Sequence, residues 1–171
     1  AYIPGMSGAT VAFVARECFG YLTDARLRQM IDDGVAGVGS SGEPTVVIGH
    51  SLGAVIAYHV LRAHPAAQSW NVPLLVTVGA PLAWIPVITA LGRLETRAMP
   101  KPVVNWVNAR DPLDAVAIGG ALVGSLLPVG AGLPDVAEET GIVNPDDGRH
   151  AIEYYLADPL VAQRLAGVLA R

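Results

Sequence analysis

Ser51 lies in Gly49-His50-Ser51-Leu52-Gly53, a G-x-S-x-G stretch whose flanks suit a nucleophile. Ahead of it, Thr45-Val46-Val47-Ile48 is uncharged and mostly β-branched, as a strand buried on both faces would be. Behind it, Leu52 to Ala63 carries helix formers with apolar positions at Leu52, Val55, Ile56 and Val60, and Pro65 stops the run. Strand, G-x-S-x-G and helix in that order predict a nucleophile elbow. The turn would be so tight that Gly49 and Gly53 are both needed where a Cβ would clash. The helix start would aim its free N–H groups and positive dipole end at the serine, with the Leu52 backbone N–H as an oxyanion donor.

A serine hydroxyl needs a base and an acid that orients the base. After an elbow these follow in the order acid, then histidine, each beyond a later strand. Val103 to Val107 is a predicted strand, and Asn108-Ala109-Arg110-Asp111-Pro112 is the turn after it. Asp111 is therefore the expected acid, with Asp114, three residues on, as its rival. The plainer use of Asp111 is to form the turn or cap a helix ahead of Pro112. Four histidines compete for the base. His50 is inside the elbow and expected to point away from Ser51; His59 is mid-helix beside Tyr58 and Arg62, on the expected solvated face. His64 closes that helix, where a partly cationic ring suits the dipole. Only His150 follows the acid, after the polar loop Asn144-Pro145-Asp146-Asp147-Gly148-Arg149 and at the head of a predicted helix, Ala151 to Leu156. Merely starting that helix is the competing explanation for it.

From Glu43 to the C-terminus these residues resemble the α/β-hydrolase family, and within it the lipase-like serine esterases. Gly49-His50-Ser51-Leu52-Gly53 resembles their serine box, and Val78-Gly79-Ala80-Pro81 is similar to the segment that ends their next strand. Asn108 to Pro112 resembles their acid turn, and His150-Ala151-Ile152-Glu153-Tyr154-Tyr155 their histidine segment with its nearby tyrosine. The resemblance implies Ser51 as nucleophile, Asp111 as acid and His150 as base, hydrolysis of an ester or thioester substrate, and neither metal nor cofactor. The family also holds thioesterases, peptidases and acyltransferases, so the motif speaks to mechanism more than to substrate.

The front of the chain departs from that family, which sets several strands before its elbow. Here 48 residues precede Gly49. Val11, Val14, Ala15, Cys18, Phe19 and Leu22 recur at helical spacing, as do Leu27, Met30 and Ile31, so two helices are predicted. Gly37-Val38-Gly39-Ser40-Ser41-Gly42 matches G-x-G-x-x-G but enters a strand instead of leaving one, the wrong context for a dinucleotide site. Gly5-Met6-Ser7-Gly8 could donate an oxyanion contact, though a helix cap by Ser7 or Thr10 is the simpler use. The elbow strand would then lie open at one edge. Upstream residues ahead of Ala1, a partner chain, or the first helices folding over the edge would complete the sheet; the first two are preferred.

With 171 residues, 52% of them hydrophobic, the chain can bury a core without disulfides or metals. A net charge of −4 with no basic cluster excludes a case for nucleic acid. The single cysteine, Cys18, falls on the apolar stripe of the first helix; unable to form an internal disulfide, it leans toward a reducing, cytoplasmic setting. Ala115 to Leu133 is an uncharged stretch long enough to span a bilayer, but its glycines, Ser125 and Pro128 argue against membrane insertion. Residues 112–136 are expected to form a lid or pocket wall. Predicted strands at Thr45–Ile48, Leu74–Val78, Val103–Val107 and, less clearly, Thr140–Val143 alternate with helices. They imply a single α/β domain over 1–171: a mostly parallel sheet with helices on both faces, of α/β-hydrolase type and short at its N-terminal side. Pro159 to Ala170 should be a closing helix with Val161, Leu165 and Val168 on the sheet. The alternative to an esterase is an inactive hydrolase-like module that binds an acyl ligand or a protein.

Overall fold

The computed structural model describes residues 8–39, 42–129 and 136–170. Strands β1 (Pro44–His50), β2 (Asn71–Val78), β3 (Trp106–Ala109) and β4 (Val136–Glu139) form one all-parallel sheet in the order β1-β2-β3-β4. Helices α1 (Gly8–Thr23) and α2 (Ala25–Ala36) precede it. Next come α3 (Leu52–Ala63), α4 (Ile85–Leu94) and a short kinked turn, α5 (Leu122–Ser125); α6 (Ile152–Ala157) and α7 (Pro159–Leu169) close the chain. The class is α/β, as the alternation of strand and helix patterns predicts.

Parallel strands taken in sequence order need right-handed crossovers, which carry their helices to one face. That face holds α3 and α4, with α1 packed on both and α2 on α1 and α3. A register irregularity between Asn71 and Leu74, and alternation along β2 beyond it, divide the core. Val72 and Leu75 join the cluster under α1 to α4, whereas Leu74, Val76 and Val78 meet Tyr155 of α6 and Val161, Leu165 and Val168 of α7. Helices therefore cover both faces, and the closing helix presents the three residues expected of it.

A buried polar row fixes the register where the site begins. The Trp106 indole donates to Thr77 Oγ1 at 2.9 Å, Thr77 Oγ1 donates to Asn108 Oδ1 at 2.9 Å, and Asn108 Nδ2 donates to Glu138 Oε2 at 2.8 Å. Thr77, Asn108 and Glu138 are direct partners across β2, β3 and β4. A slip by one residue would strand Thr77 and Asn108 without partners in the core, at about 1–3 kcal/mol for each group.

Several expectations are corrected. The fourth strand is Val136–Glu139, not Thr140–Val143; Glu138 is held by Asn108 and the Leu122 N–H, and Glu139 by Arg164, so two adjacent carboxylates are accommodated in a strand. Regular pairing of β3 starts at Trp106, with Val103 making only an isolated bridge to Val72. Val14, Cys18 and Leu22 are buried on α1, but Phe19 and, on α2, Met30 face outward. Burial, then Glu17 beside it, pushes the Cys18 thiol up to about 11. His59 is not on a solvated face: it is buried, with Nδ1 2.9 Å from Glu95 Oε1 and Nε2 3.5 Å from Asp32 Oδ2. Tyr21 donates to the same Asp32 at 2.6 Å, so these groups tie α1 and α2 to α3. His64 does end α3, and its Nε2 lies 3.0 Å from Asp33 Oδ1.

Leu122, Leu126 and Leu127 belong to the main core, which corrects the lid reading for these side chains. Ile118 to Gly120 instead wall an apolar groove of about 860 Å³, opposite Trp84, Ile85 and Ile88. No helix among the described residues is long and apolar enough to cross a membrane. The outer edge of β1 pairs with no other strand among the described residues, and Ile48 is 42% exposed there. The Gly5-Met6-Ser7 segment and Ser40-Ser41 lie outside the described residues.

Candidate active site

The elbow is built by backbone strain that the surroundings enforce. Ser51 has φ 54° and ψ −127°, and it is the only non-glycine residue with positive φ among those described. Such a conformation costs about 1–3 kcal/mol and clusters at functional sites. The Ser51 N–H donates to the Val78 carbonyl at 3.2 Å, holding the turn to β2. A Cβ on Gly49 would sit 2.6 Å from the Ala54 Cα, so the strand can approach the helix start only as glycine. The matching expectation for Gly53 fails: a Cβ there meets nothing within 4 Å, because the position faces open space.

Ser51 occupies the N-cap of α3, where a serine ordinarily accepts a bond from the first turn. Its side chain makes no such bond. Ser51 Oγ lies 2.9 Å from His150 Nε2 instead, and Leu52 follows as the first helical residue with an N–H that has no partner inside the helix. His150, carried by the loop before α6, turns its other nitrogen to Asp114: Nδ1 to Oδ2 is 2.8 Å. A carboxylate only accepts, so Nδ1 carries the proton and Nε2 is left with its lone pair toward the serine.

The carboxylate that faces His150 is thus Asp114, and the expectation that Asp111 would face it is corrected. Asp111 does what its plainer use implied. Its Oδ1 accepts from the Leu113 N–H at 2.7 Å and forms the turn. Its Oδ2 accepts from the Asn144 N–H at 2.9 Å and from Arg149 Nη1 at 2.8 Å. The Asp114 N–H returns to the Asp111 carbonyl at 3.0 Å, so the turn around Pro112 swings Asp114 back under the imidazole. Asn144 Nδ2 in turn donates to the Arg149 carbonyl at 2.8 Å. Asp111, Asn144 and Arg149 together hold the loop that delivers His150.

Tyr155 joins the two acids. Its hydroxyl donates to Asp114 Oδ2 at 2.7 Å and accepts from the Asp111 N–H at 3.1 Å. Burial, then the charge of Asp114, raises its pKa far above the ordinary phenol, so it stays a donor. With the Val116 N–H on Oδ1, Asp114 is fully buried and bonded on both oxygens. Gly79, at φ 55°, closes the other side: a Cβ would lie 3.0 Å from Tyr155, 3.1 Å from Asp114 Oδ2 and 3.3 Å from His150 Nδ1. His50 does not point into empty space either, since its Nε2 is 2.7 Å from the His150 carbonyl.

The structure therefore brings Ser51, His150 and Leu52 together as the spacing suggests, and leaves Asp111 one turn away. Gly79 and Tyr155 lay in the segments that carried the family resemblance; their positions after a strand and inside the helix following His150 were the available signal. Nothing in the sequence pairs Asn144 with Arg149. Among the described residues no group of histidine, cysteine or carboxylate side chains could hold a metal ion. Compared with known proteins, the chain matches no family model, no curated protein and no solved structure.

Proposed function

We propose that this chain is a serine hydrolase of α/β-hydrolase type that cleaves a carboxylic ester or thioester. The observation that carries the reading is the continuous relay from Ser51 Oγ through His150 to Asp114, at 2.9 Å and 2.8 Å, ending on a strained serine that forgoes its cap. Ser51 Oγ attacks the acyl carbon while its proton passes to His150 Nε2. Asp114 stabilises the imidazolium and keeps the productive tautomer. The Leu52 N–H faces the developing oxyanion. Collapse of the tetrahedral species expels the alcohol or thiol, which takes the proton from Nε2 and leaves an acyl-enzyme. Water, deprotonated by the same imidazole, then attacks the acyl carbon, and the proton passes to the departing Ser51 Oγ as the acid is released.

We assign an acyl chain to the apolar groove, whose walls lie on the segments that leave the site. One wall, Trp84 to Ile88, follows a few residues after Gly79; the other, Ile118 to Gly120, follows a few residues after Asp114. Each methylene buried there would contribute about 0.8 kcal/mol. Hydrolysis of p-nitrophenyl esters of graded chain length, beside Ser51→Ala, tests the proposal. Turnover that disappears in the variant and improves from acetate to longer esters is expected. Turnover equal in both proteins, or none on any ester or thioester, would refute it.

A further inference from the structure

His50 is an ionisable side chain in direct contact with the relay, and the proposed chemistry gives it no task. It is the last residue of β1, next to Ser51. Its ring lies 4.6 Å, centre to centre, from the His150 ring, tilted by 38°. His50 Nε2 is 2.7 Å from the His150 carbonyl oxygen. A carbonyl accepts only, so Nε2 carries a proton and donates it. The base is therefore anchored twice: by Asp114 through its ring and by His50 through its main chain.

From this geometry we infer that His50 is a positioning residue, fixing the height of the His150 imidazole over Ser51 through the His150 carbonyl. The inference rests on the serine-hydrolase reading. The strand that ends in the nucleophile also grips the backbone of the base, so the Ser51–His150 distance is set locally and not through the long loop from β4. On the acid side the His150 loop is held by Asn144, Asp111 and Arg149. Loosening the loop at the imidazole lowers the rate, because proton transfer from Ser51 needs hydrogen-bond contact. The groups facing His50 are His150, Asp114, Glu153 and Tyr155. Burial first, then the neighbouring His150, hold His50 below the ordinary histidine value, which favours the neutral ring beside an imidazole that must itself accept a proton.

The test compares His50→Gln, whose amide nitrogen can replace Nε2 as donor, with His50→Phe, which fills the space and donates nothing. The expected result is a fall in kcat of about tenfold for His50→Phe on p-nitrophenyl butyrate, the scale of one lost hydrogen bond. KM and melting temperature should be little changed, and His50→Gln should recover most of the rate. If His50→Phe does not fold, His50→Asn, too short to reach the carbonyl, takes its place with the same expectation. A readout independent of activity is the far-downfield proton resonance of His150 Nδ1–H. It should broaden or vanish in His50→Phe and persist in His50→Gln. Equal rates and equal resonances in both variants would overturn the inference; so would His50→Gln behaving like His50→Phe. A wild-type protein that is inactive yet shows the same resonance pattern would refute the hydrolase reading while leaving the positioning role of His50 standing.

Discussion

Exchanging the two acids one at a time separates the orienting carboxylate from the structural one. In Asp114→Asn the shape is kept, but the group facing His150 Nδ1 becomes an amide that can present N–H. Nδ1 then loses its proton and Nε2 gains it, so the imidazole offers Ser51 a donor where it must accept. The comparable change in a serine protease lowers kcat about 10⁴-fold, equivalent to about 5.4 kcal/mol of barrier at 1.36 kcal/mol per tenfold. Asp114 has no bypass among the described residues, because its Oδ2 holds His150 Nδ1 and its carboxylate is buried. Asp111→Asn removes the charge facing Arg149 and keeps an acceptor for only one of the Leu113 and Asn144 N–H groups, which bond different carboxylate oxygens, but it leaves the His150 ring and Asp114 untouched. It should lower the melting temperature and reduce kcat by no more than about tenfold, the range of one hydrogen bond. The assay is initial-rate hydrolysis of p-nitrophenyl butyrate at pH 8, with circular dichroism to confirm folding. A folded Asp111→Asn that loses about 10⁴ while Asp114→Asn stays within tenfold would refute the assignment.

Gly49→Ala should abolish soluble, active protein, because its Cβ would strike the Ala54 backbone, whereas Gly53→Ala should fold and gain about 0.5–1 kcal/mol in urea denaturation from better helix propensity. Leu122→Asp and Leu126→Asp should cost activity equally on short and long esters and melt the protein early, since both side chains are 1% exposed in the main core. A selective loss on long esters would restore a lid role for them. Cys18 gives the stability a pH slope of known sign. Below its ordinary value of 9.0 the thiol is protonated in both states and its contribution is complete; as pH rises toward about 11 the unfolded chain ionises first and stability falls. Chemical denaturation between pH 8 and pH 11 should show a steeper decline for the wild type than for Cys18→Ala.

The elbow was legible because strand, glycine and helix start are local, and local sequence decides them. Alternating apolar residues disclosed the class of sheet and the closing helix for the same reason. The carboxylate facing His150 was misplaced because Asp111 and Asp114 occupy one turn, and the distant residues Asn144, Arg149 and Tyr155 decide which of them meets the imidazole. His59 was placed in solvent because neither Asp32 nor Glu95 is near it in sequence. Strand β4 was hidden by Glu138 and Glu139, whose partners come from β3, the turn at Leu122 and α7. Gly53 shows the opposite error, a motif position credited with a steric role that its surroundings do not impose.

Labelling with a fluorophosphonate probe tests the central claim most directly, because only an activated serine forms the covalent adduct. One adduct per chain is expected, mapped by peptide mass spectrometry to Ser51. It should be absent in Ser51→Ala and slowed by orders of magnitude in folded Asp114→Asn. A folded wild-type protein that takes no label, or one whose label maps to another serine and survives Ser51→Ala, would contradict it.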